Sequence, residues 1–353
     1  MGIASTARTH GSSHSHANHR IDSHAPIGVM ADHMHDAGEA MLSYRYMYME
    51  MDGQRAGTND LRSEEVFHRG FAVSALEMDS HMHMFGAMWA PIDQITFTAM
   101  TSYVEKDMRL KTAPSSGHGG SALGGHGGHG GHGSSHGSGH GSSTFGHSSS
   151  GWGDVSAGAL FRLLRTPSQN AHLGLHLSFP TGGELERDSN TGAVLPYGMQ
   201  LGSGTYDLKP SLTWLGHQRS WSYGAQASAT LPLEDENDAG YARGDRFELT
   251  SWVAKPITNE CSLSGRISFL HEDSISGHYN VPHPHLAPPH FTENYGGERI
   301  DLGIGANFRL PRAAGPLAGT RLAVEALVPV YEDLNGIGLS RSWSMTLGLQ
   351  VSW

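Results

Sequence analysis

The stretch 339–353, LSRSWSMTLGLQVSW, decides the fold. Trp343, Met345, Leu347, Leu349, Val351 and Trp353 share one parity; Ser342, Ser344, Thr346, Gly348, Gln350 and Ser352 share the other. A strand sends alternate side chains to opposite faces, so this stretch predicts a strand with one wholly apolar face and one small, polar face.

The same alternation recurs upstream. Within 41–51, Leu42, Tyr44, Tyr46 and Tyr48 oppose Ser43, Arg45, Met47, Met49 and Met51. Within 73–89, Leu76, Met78, Met82, Met84 and Met88 oppose Glu77, Asp79, His81 and His83. A third strand begins at Gln94, with Ile95, Phe97, Ala99 and Tyr103 outward. Further on, Leu173, Leu175, Leu177 and Phe179 oppose His172 and His176, and Leu208, Leu212 and Trp214 oppose Asp207 and Lys209. Leu263, Ile267 and Phe269 oppose Arg266; Ile300, Leu302, Ile304 and Phe308 oppose Arg299, Asp301 and Arg309; Leu322, Val324 and Val328 oppose Arg321 and Glu325. Segments at 155–163 and 221–231 alternate as well, and 246–254 does so least regularly, with Trp252 and Val253 on different faces. The count is about twelve strands.

Composition narrows what such strands can build. The 353 residues are 37% hydrophobic with no run of eighteen apolar residues, which excludes helical membrane spans. A barrel needs apolar residues on only one face of each strand, so the membrane stays open. A net charge of −11 without a basic run argues against nucleic-acid binding. The single cysteine, Cys261, excludes an internal disulfide, a CxxC pair and a Cys-rich zinc site.

The expected architecture is all-β: a closed antiparallel up-and-down transmembrane barrel over 39–353, preceded by a polar, His-rich tail and plug over 1–38. Short connectors (PID, TPSQN, GHQ, PITNE, PRAAGPLAG) alternate with long ones at 52–72, 112–153, 181–205, 234–243 and 272–296. Outer-membrane barrels alternate short periplasmic turns and long outer loops in this way. The Gly/Ser/His-rich segment 112–153 is expected to be a disordered outer loop. A soluble sandwich is the competing fold; it would have to expose the polar faces now assigned to a lumen. Residues 1–24 show no hydrophobic signal core, so the export signal is expected to lie outside this sequence.

The last strand, ending on Trp353, resembles the closing strand of bacterial outer-membrane barrels that the insertion machinery reads, with Trp where Phe is usual. The blocks HAPIGVMADHMHDAGEAMLSYRYMYMEMDG (24–53), MHMFGAMWAP (82–91), LPYGMQLGSGTYDL (195–208), GGERIDLGIGANF (296–308) and YEDLNG (331–336) resemble the outer-membrane transporter family named after the phenol meta-cleavage (MetA) degradation pathway. That resemblance covers nearly all of the chain from His24 onward, the His-rich insert excepted. It implies an outer-membrane barrel, in contact with outer-membrane lipid, that passes small solutes.

Three groups of residues are metal-site candidates, with copper or zinc as the expected ion and no cofactor required. Met47, Met49 and Met51 with His81 and His83 would make a soft site if odd-numbered residues of both strands face inward; thioether plus imidazole favours copper, and plain lumen filling is the bland alternative. His118, His126, His129, His132, His136, His140 and His147 of the insert form the second, against a flexible spacer. His24, His33 and His35 with Met30 and Met34 form the third. The lumen lining is expected to contain Arg45, Glu77, Asp79, His172, His176, Asp207, Lys209, Arg266, Arg299, Asp301, Arg309, Arg321 and Glu325. No nucleophile-and-base arrangement stands out, so no catalytic residue is assigned. A solute channel is the leading function; a barrel that only anchors a metal-sequestering His-rich loop, and an outer-membrane enzyme, are the alternatives.

Overall fold

The computed structural model describes residues 20–114, 142–311, 314–315 and 318–353. In chain order the strands are β1 (Ala40–Gly57), β2 (Asn59–Leu61), β3 (Val73–Ile92), β4 (Ile95–Thr112), β5 (Thr144–Trp152), β6 (Val155–Arg165), β7 (Gln169–Phe179) and β8 (Asp207–Gln218). They continue as β9 (Trp221–Pro232), β10 (Tyr241–Ala242), β11 (Arg246–Pro256), β12 (Cys261–Glu272), β13 (Ser276–Gly277), β14 (Gly297–Arg309) and β15 (Arg321–Ser352). One short helix, α1 (Ser63–His68), lies between β2 and β3.

Neighbours in sequence pair antiparallel from β1 through β3, β4, β6, β7, β8, β9, β11, β12 and β14 to β15, and β15 returns to pair with β1. The sheet is thus a closed all-β barrel of eleven consecutive elements. Direction alternates along these neighbours, so β14 runs opposite to β1, yet β15 is antiparallel to both. A single straight strand cannot satisfy both pairings. β15 therefore reverses, at Leu334, which pairs with Gly297 of β14 and Gly57 of β1. The folded-back halves touch: Ser340 Oγ donates to Glu332 Oε2 at 2.6 Å, and Arg321 Nη1 to Gln350 Oε1 at 2.6 Å. Ten elements crossing once and β15 crossing twice give twelve passes.

Side-chain exposure follows the two-residue period. Outward Leu249, Val253, Leu263, Ile304 and Leu349 are exposed, whereas inward Thr250, Ser262, Asn307, Thr346 and Gln350 are buried. An apolar outer face with polar residues inside is the lipid-facing arrangement of a membrane barrel, inverted from a soluble one. Aromatic residues mark both margins of the band. Trp89 stacks on Phe97 at 6.3 Å near one end; Tyr48 with Trp343 (5.2 Å) and Tyr103 with Trp152 (5.6 Å) sit toward the other. Beyond that second margin the long connectors fold together over the barrel. Leu195, Met199 and Ala287 from these loops pack on Val73, Ala75, Met78, Met108 and Leu110, and Tyr197 stacks on Tyr279 at 4.2 Å.

Two expectations need correction. Residues 144–152 are not loop but strand β5, which pairs with β4 from Thr144–Lys111 to Trp152–Tyr103 and is continued along β4 by β6. Its Gly/Ser/His composition hid it, because small residues give the alternation little contrast. The face of β3 is also opposite to that expected. Met47 pairs with Met82 and Arg45 with Met84, so even-numbered residues of β3 face inward and Glu77, Asp79, His81 and His83 face outward.

With Cys261→Ser as background, single cysteines carrying a fluorophore should report the lipid phase at His83 and Ile304 and avoid it at Met82 and Asn307. Brominated-lipid quenching is the measurement. Quenching at Met82 with none at His83 would reverse this parity.

Candidate functional site

Residues 20–35 lie inside the barrel, held by the inward rows of many strands, and 36–39 lead past the β3–β4 turn into β1. Arg321 Nη2 donates to the Ala25 carbonyl at 2.7 Å while its Nε bonds Asn307 Oδ1 at 2.9 Å. Glu325 Oε2 accepts from the Gly28 N–H at 2.7 Å and faces Arg266 Nη1 at 3.3 Å; Arg266 Nη2 reaches Glu248 at 2.8 Å. Gln226 Nε2 donates to the Met30 carbonyl and His172 Nε2 bonds that of Ala31, both at 2.9 Å. Ser222 Oγ reaches Asp22, Arg309 Nη2 the Arg20 carbonyl, and Thr96 Oγ1 accepts the His35 N–H. A segment without regular structure inside a barrel must satisfy its backbone groups through such side chains. We call it the plug.

The expected lumen residues divide accordingly. Arg266, Arg309, Arg321, His172 and Glu325 hold the plug, and Arg45 is buried beside it. His176 and Lys209 line a cavity of about 250 Å³ that Gly28–His33 of the plug share with Met41, Met88, Met100 and Arg266. Asp207 is buried and accepts from Thr205 Oγ1 at 2.7 Å. Arg299 and Arg341 converge on Asp301, at 3.0 and 3.7 Å. Glu77 and Asp79 do not line the lumen: Glu77 pairs with Arg109 at 2.9 Å and Asp79 accepts from Tyr48 Oη at 2.6 Å on the outer face.

One wall of the lumen is rich in methionine. On β1, β3 and β4, Met41 and Met88 lie low, Met47 faces Met82, and Met51 and Met108 flank Met78. Met49, Met51, Met78 and Met108 line a second cavity, of about 230 Å³, under the loop residue Tyr295. A third, of about 360 Å³, lies against the other side of the plug and is lined by His24, His33, Met34 and His35.

The metal candidates fare unequally. Met47, Met49 and Met51 cannot share an ion with His81 and His83, because the sheet separates them; the imidazoles instead take Tyr46 Oη (2.7 Å) and Tyr44 Oη (2.8 Å) as partners on the outside. His147 lies on β5 with its Nδ1 2.9 Å from Asp188. His118, His126, His129, His132, His136 and His140 lie outside the described residues. His24 and His33 do come together, through a residue that the sequence pattern did not single out: Asp32, 2.8 Å from His33 Nδ1 and 3.7 Å from His24 Nδ1. Its position one residue before His33 in ADHMH was the available signal. Burial, then the Arg321 guanidinium and His33, push the His24 pKa down to about 3, so its imidazole is neutral. His35 stands next to this cluster, its ring 5.0 Å from that of His33 and its Nδ1 3.4 Å from Glu39.

No protein-family model and no curated protein matches the sequence. Solved structures do match. An outer-membrane channel from Pseudomonas putida F1 superposes with a TM-score of 0.59 at 12% identity, covering 92% of this chain and 99% of that one. The fold is that of an outer-membrane β-barrel. A Pseudomonas aeruginosa FadL homologue (TM-score 0.40, 11% identity, 89% and 90% covered) and a deletion mutant of the TodX monoaromatic hydrocarbon channel (TM-score 0.42, 11% identity, 91% and 90% covered) are more distant.

The plug turn at Gly28 leaves no room for a side chain: a Cβ there would collide with the Glu325 carboxylate and the Arg266 guanidinium. Gly28→Ala should therefore loosen the plug by about 1–3 kcal/mol, the scale of an overpacked buried site. Limited proteolysis should cut within 20–39 several times faster in the variant, and equal rates would show the contact to be slack.

Proposed function

We propose that the protein is an outer-membrane channel for small solutes and that its structure is that of a plugged state. The observation that carries the reading is the combination of an apolar outer face, a polar and methionine-lined interior, and cavities on both sides of a segment that fills the lumen. A barrel used only as an anchor needs none of this: its interior could be packed with side chains, as in the smallest barrels. The likeness to the Pseudomonas putida channel supports the reading at the level of fold. The blocks that resemble the MetA transporter family belong to the same reading. They include the plug, as HAPIGVMADHMHDAGE, and the start of β1.

The solute class follows from the walls. Thioethers are apolar, polarizable and adaptable, so the methionine wall suits small apolar or aromatic-sized solutes better than a wall of charges would. Around the same cavity, Lys209, Arg266, Glu248 and His176 on other strands, and Arg45 on β1 itself, present ionic and hydrogen-bonding groups that orient a polar end. The apolar outer face supports a seat in outer-membrane lipid, and in this reading β15 is the strand that the insertion machinery would take up. Passage requires that the plug shift or leave. Its anchors are mostly hydrogen bonds and ion pairs to lumen side chains, which exchange with water more readily than a packed apolar core does, with one small apolar contact of Ala25 and Val29 on Trp252.

Single-channel recording in planar bilayers tests this. The intact chain should conduct little, and deletion of residues 20–36 should raise conductance about tenfold or more by opening the pore. Equal, negligible conductance in both proteins would leave a sealed barrel and end the channel reading. Recovery of the exported protein only in a soluble fraction would end the membrane assignment as well.

A further inference from the structure

We infer that the plug contains a binding site for one divalent transition-metal ion of the zinc and copper class, formed by His24, Asp32 and His33. One ligand atom from each of the three side chains lies within 4.8 Å of the other two. Zinc-bound nitrogen and oxygen sit about 2.0–2.2 Å from a tetrahedral ion, which puts two donors about 3.4 Å apart, so the widest separation in the cluster closes by roughly 1–1.5 Å through side-chain rotation when an ion binds. The two histidine rings already pack edge to face at 4.5 Å. The proposal concerns the folded plug and stands whether or not solute passes the barrel.

The arrangement is built rather than accidental in three respects. His24 Nδ1 is buried and has no hydrogen-bond partner, so a ligating nitrogen is aimed at the cluster with nothing else to bind. Asp32 is 2% exposed and its Oδ2 accepts the Ala25 N–H at 3.0 Å, a bond that fixes the carboxylate as outer partners fix metal ligands. The cluster opens on the cavity of about 360 Å³, which leaves a coordination position for water or a further donor; Met34 and His35 line the same space.

The donor set also selects the ion. Calcium and magnesium take six or more oxygens. The cluster offers one carboxylate with two imidazoles, and Arg321 lies close by, donating to the carbonyl of Ala25. A hard cation held by charge alone is disfavoured beside a guanidinium, whereas imidazole nitrogens bind zinc and copper without relying on net charge. Such an ion would join residue 24 to residues 32 and 33, across the turn that carries the Gly28 and Met30 contacts to the barrel wall.

The test uses full-length protein in detergent in which His118, His126, His129, His132, His136 and His140 are replaced by Ser, so that the only imidazole left in the insert is that of His147 on β5, which is paired with Asp188. After stripping with EDTA, it is titrated calorimetrically with ZnCl₂ and CuCl₂. We expect one equivalent of tightly bound ion per chain. His24→Gln, Asp32→Asn and His33→Gln, which keep hydrogen-bonding capacity, should each weaken binding by roughly 100-fold or more, since losing even an outer partner of a ligand costs about 10–100-fold. Cobalt(II) provides a second readout: visible d–d bands in the parent that disappear in His33→Gln while the circular-dichroism strand signal is unchanged. Absence of stoichiometric zinc and copper binding in the parent, or unchanged affinity and cobalt spectrum in His33→Gln, overturns the site.

Discussion

Between Met41–Ser352 and Gly57–Leu334 the first and last strands of the chain pair antiparallel, and every other feature depends on that ladder. An open sheet of this size would carry two rows of unpaired backbone groups, which are intolerable in lipid and prone to association in water. Antiparallel closure also imposes arithmetic. The number of passes must be even, which is why the chain from Arg321 to Ser352 has to fold back at Leu334. Closure then fixes an inside, and the two-residue period distributes each strand between lipid and lumen.

The inside so created is costly. Arg321 and Glu325 are 5% and 1% exposed, and burying an unpaired charge costs several kcal/mol. The plug offsets that cost because it supplies partners as well as needing them. Its Ala25 carbonyl takes a guanidinium hydrogen and its Gly28 N–H donates to a carboxylate. Wall and plug are mutually satisfied. Neither is stable as it stands without the other, unless water enters to replace the lost bonds, which is the condition for an open lumen.

Much of this was legible in the sequence because amphipathic strands announce themselves. The face assignments of β7, β8, β12, β14 and β15 could be read directly, since charged or small polar residues alternate there with Leu, Ile and Phe. β5 could not, because TFGHSSSGW has too few apolar residues for the period to show. In the site, His24 and His33 were visible as imidazoles near each other in sequence. The role of Asp32 was not, since it depends on the chain doubling back between residues 25 and 32. The outer-loop tyrosines Tyr197, Tyr241 and Tyr279 come together from three separate loops, a contact no local pattern encodes.

The misread face of β3 shows which local signal ranks highest. Read by polarity alone, its histidines belong in the lumen and its methionines in lipid. The pairing with β4 overrules that reading. The ladder starts at Ile92–Ile95, shifts register once before Trp89, and from there pairs Trp89 with Phe97, both outward. No bulge interrupts β3 between Glu77 and Trp89, so the parity of Trp89 passes unchanged to His83, His81 and Asp79. A one-residue slip would have to break the whole ladder. The polar groups that this places outside are made tolerable by their neighbours. Tyr44, Tyr46 and Tyr48 on β1 aim their hydroxyls at His83, His81 and Asp79 in turn, and Trp343 donates to Glu50 at 2.9 Å. Each partner is supplied across the strand at the level where it is required, so the SYRYMYME of β1 is the complement of the DSHMHMF of β3. Alternation assigns two faces to a strand; the register of the ladder, set by turn and bulge together, decides which face is which, and the cross-strand partners reveal how the chain lives with the outcome.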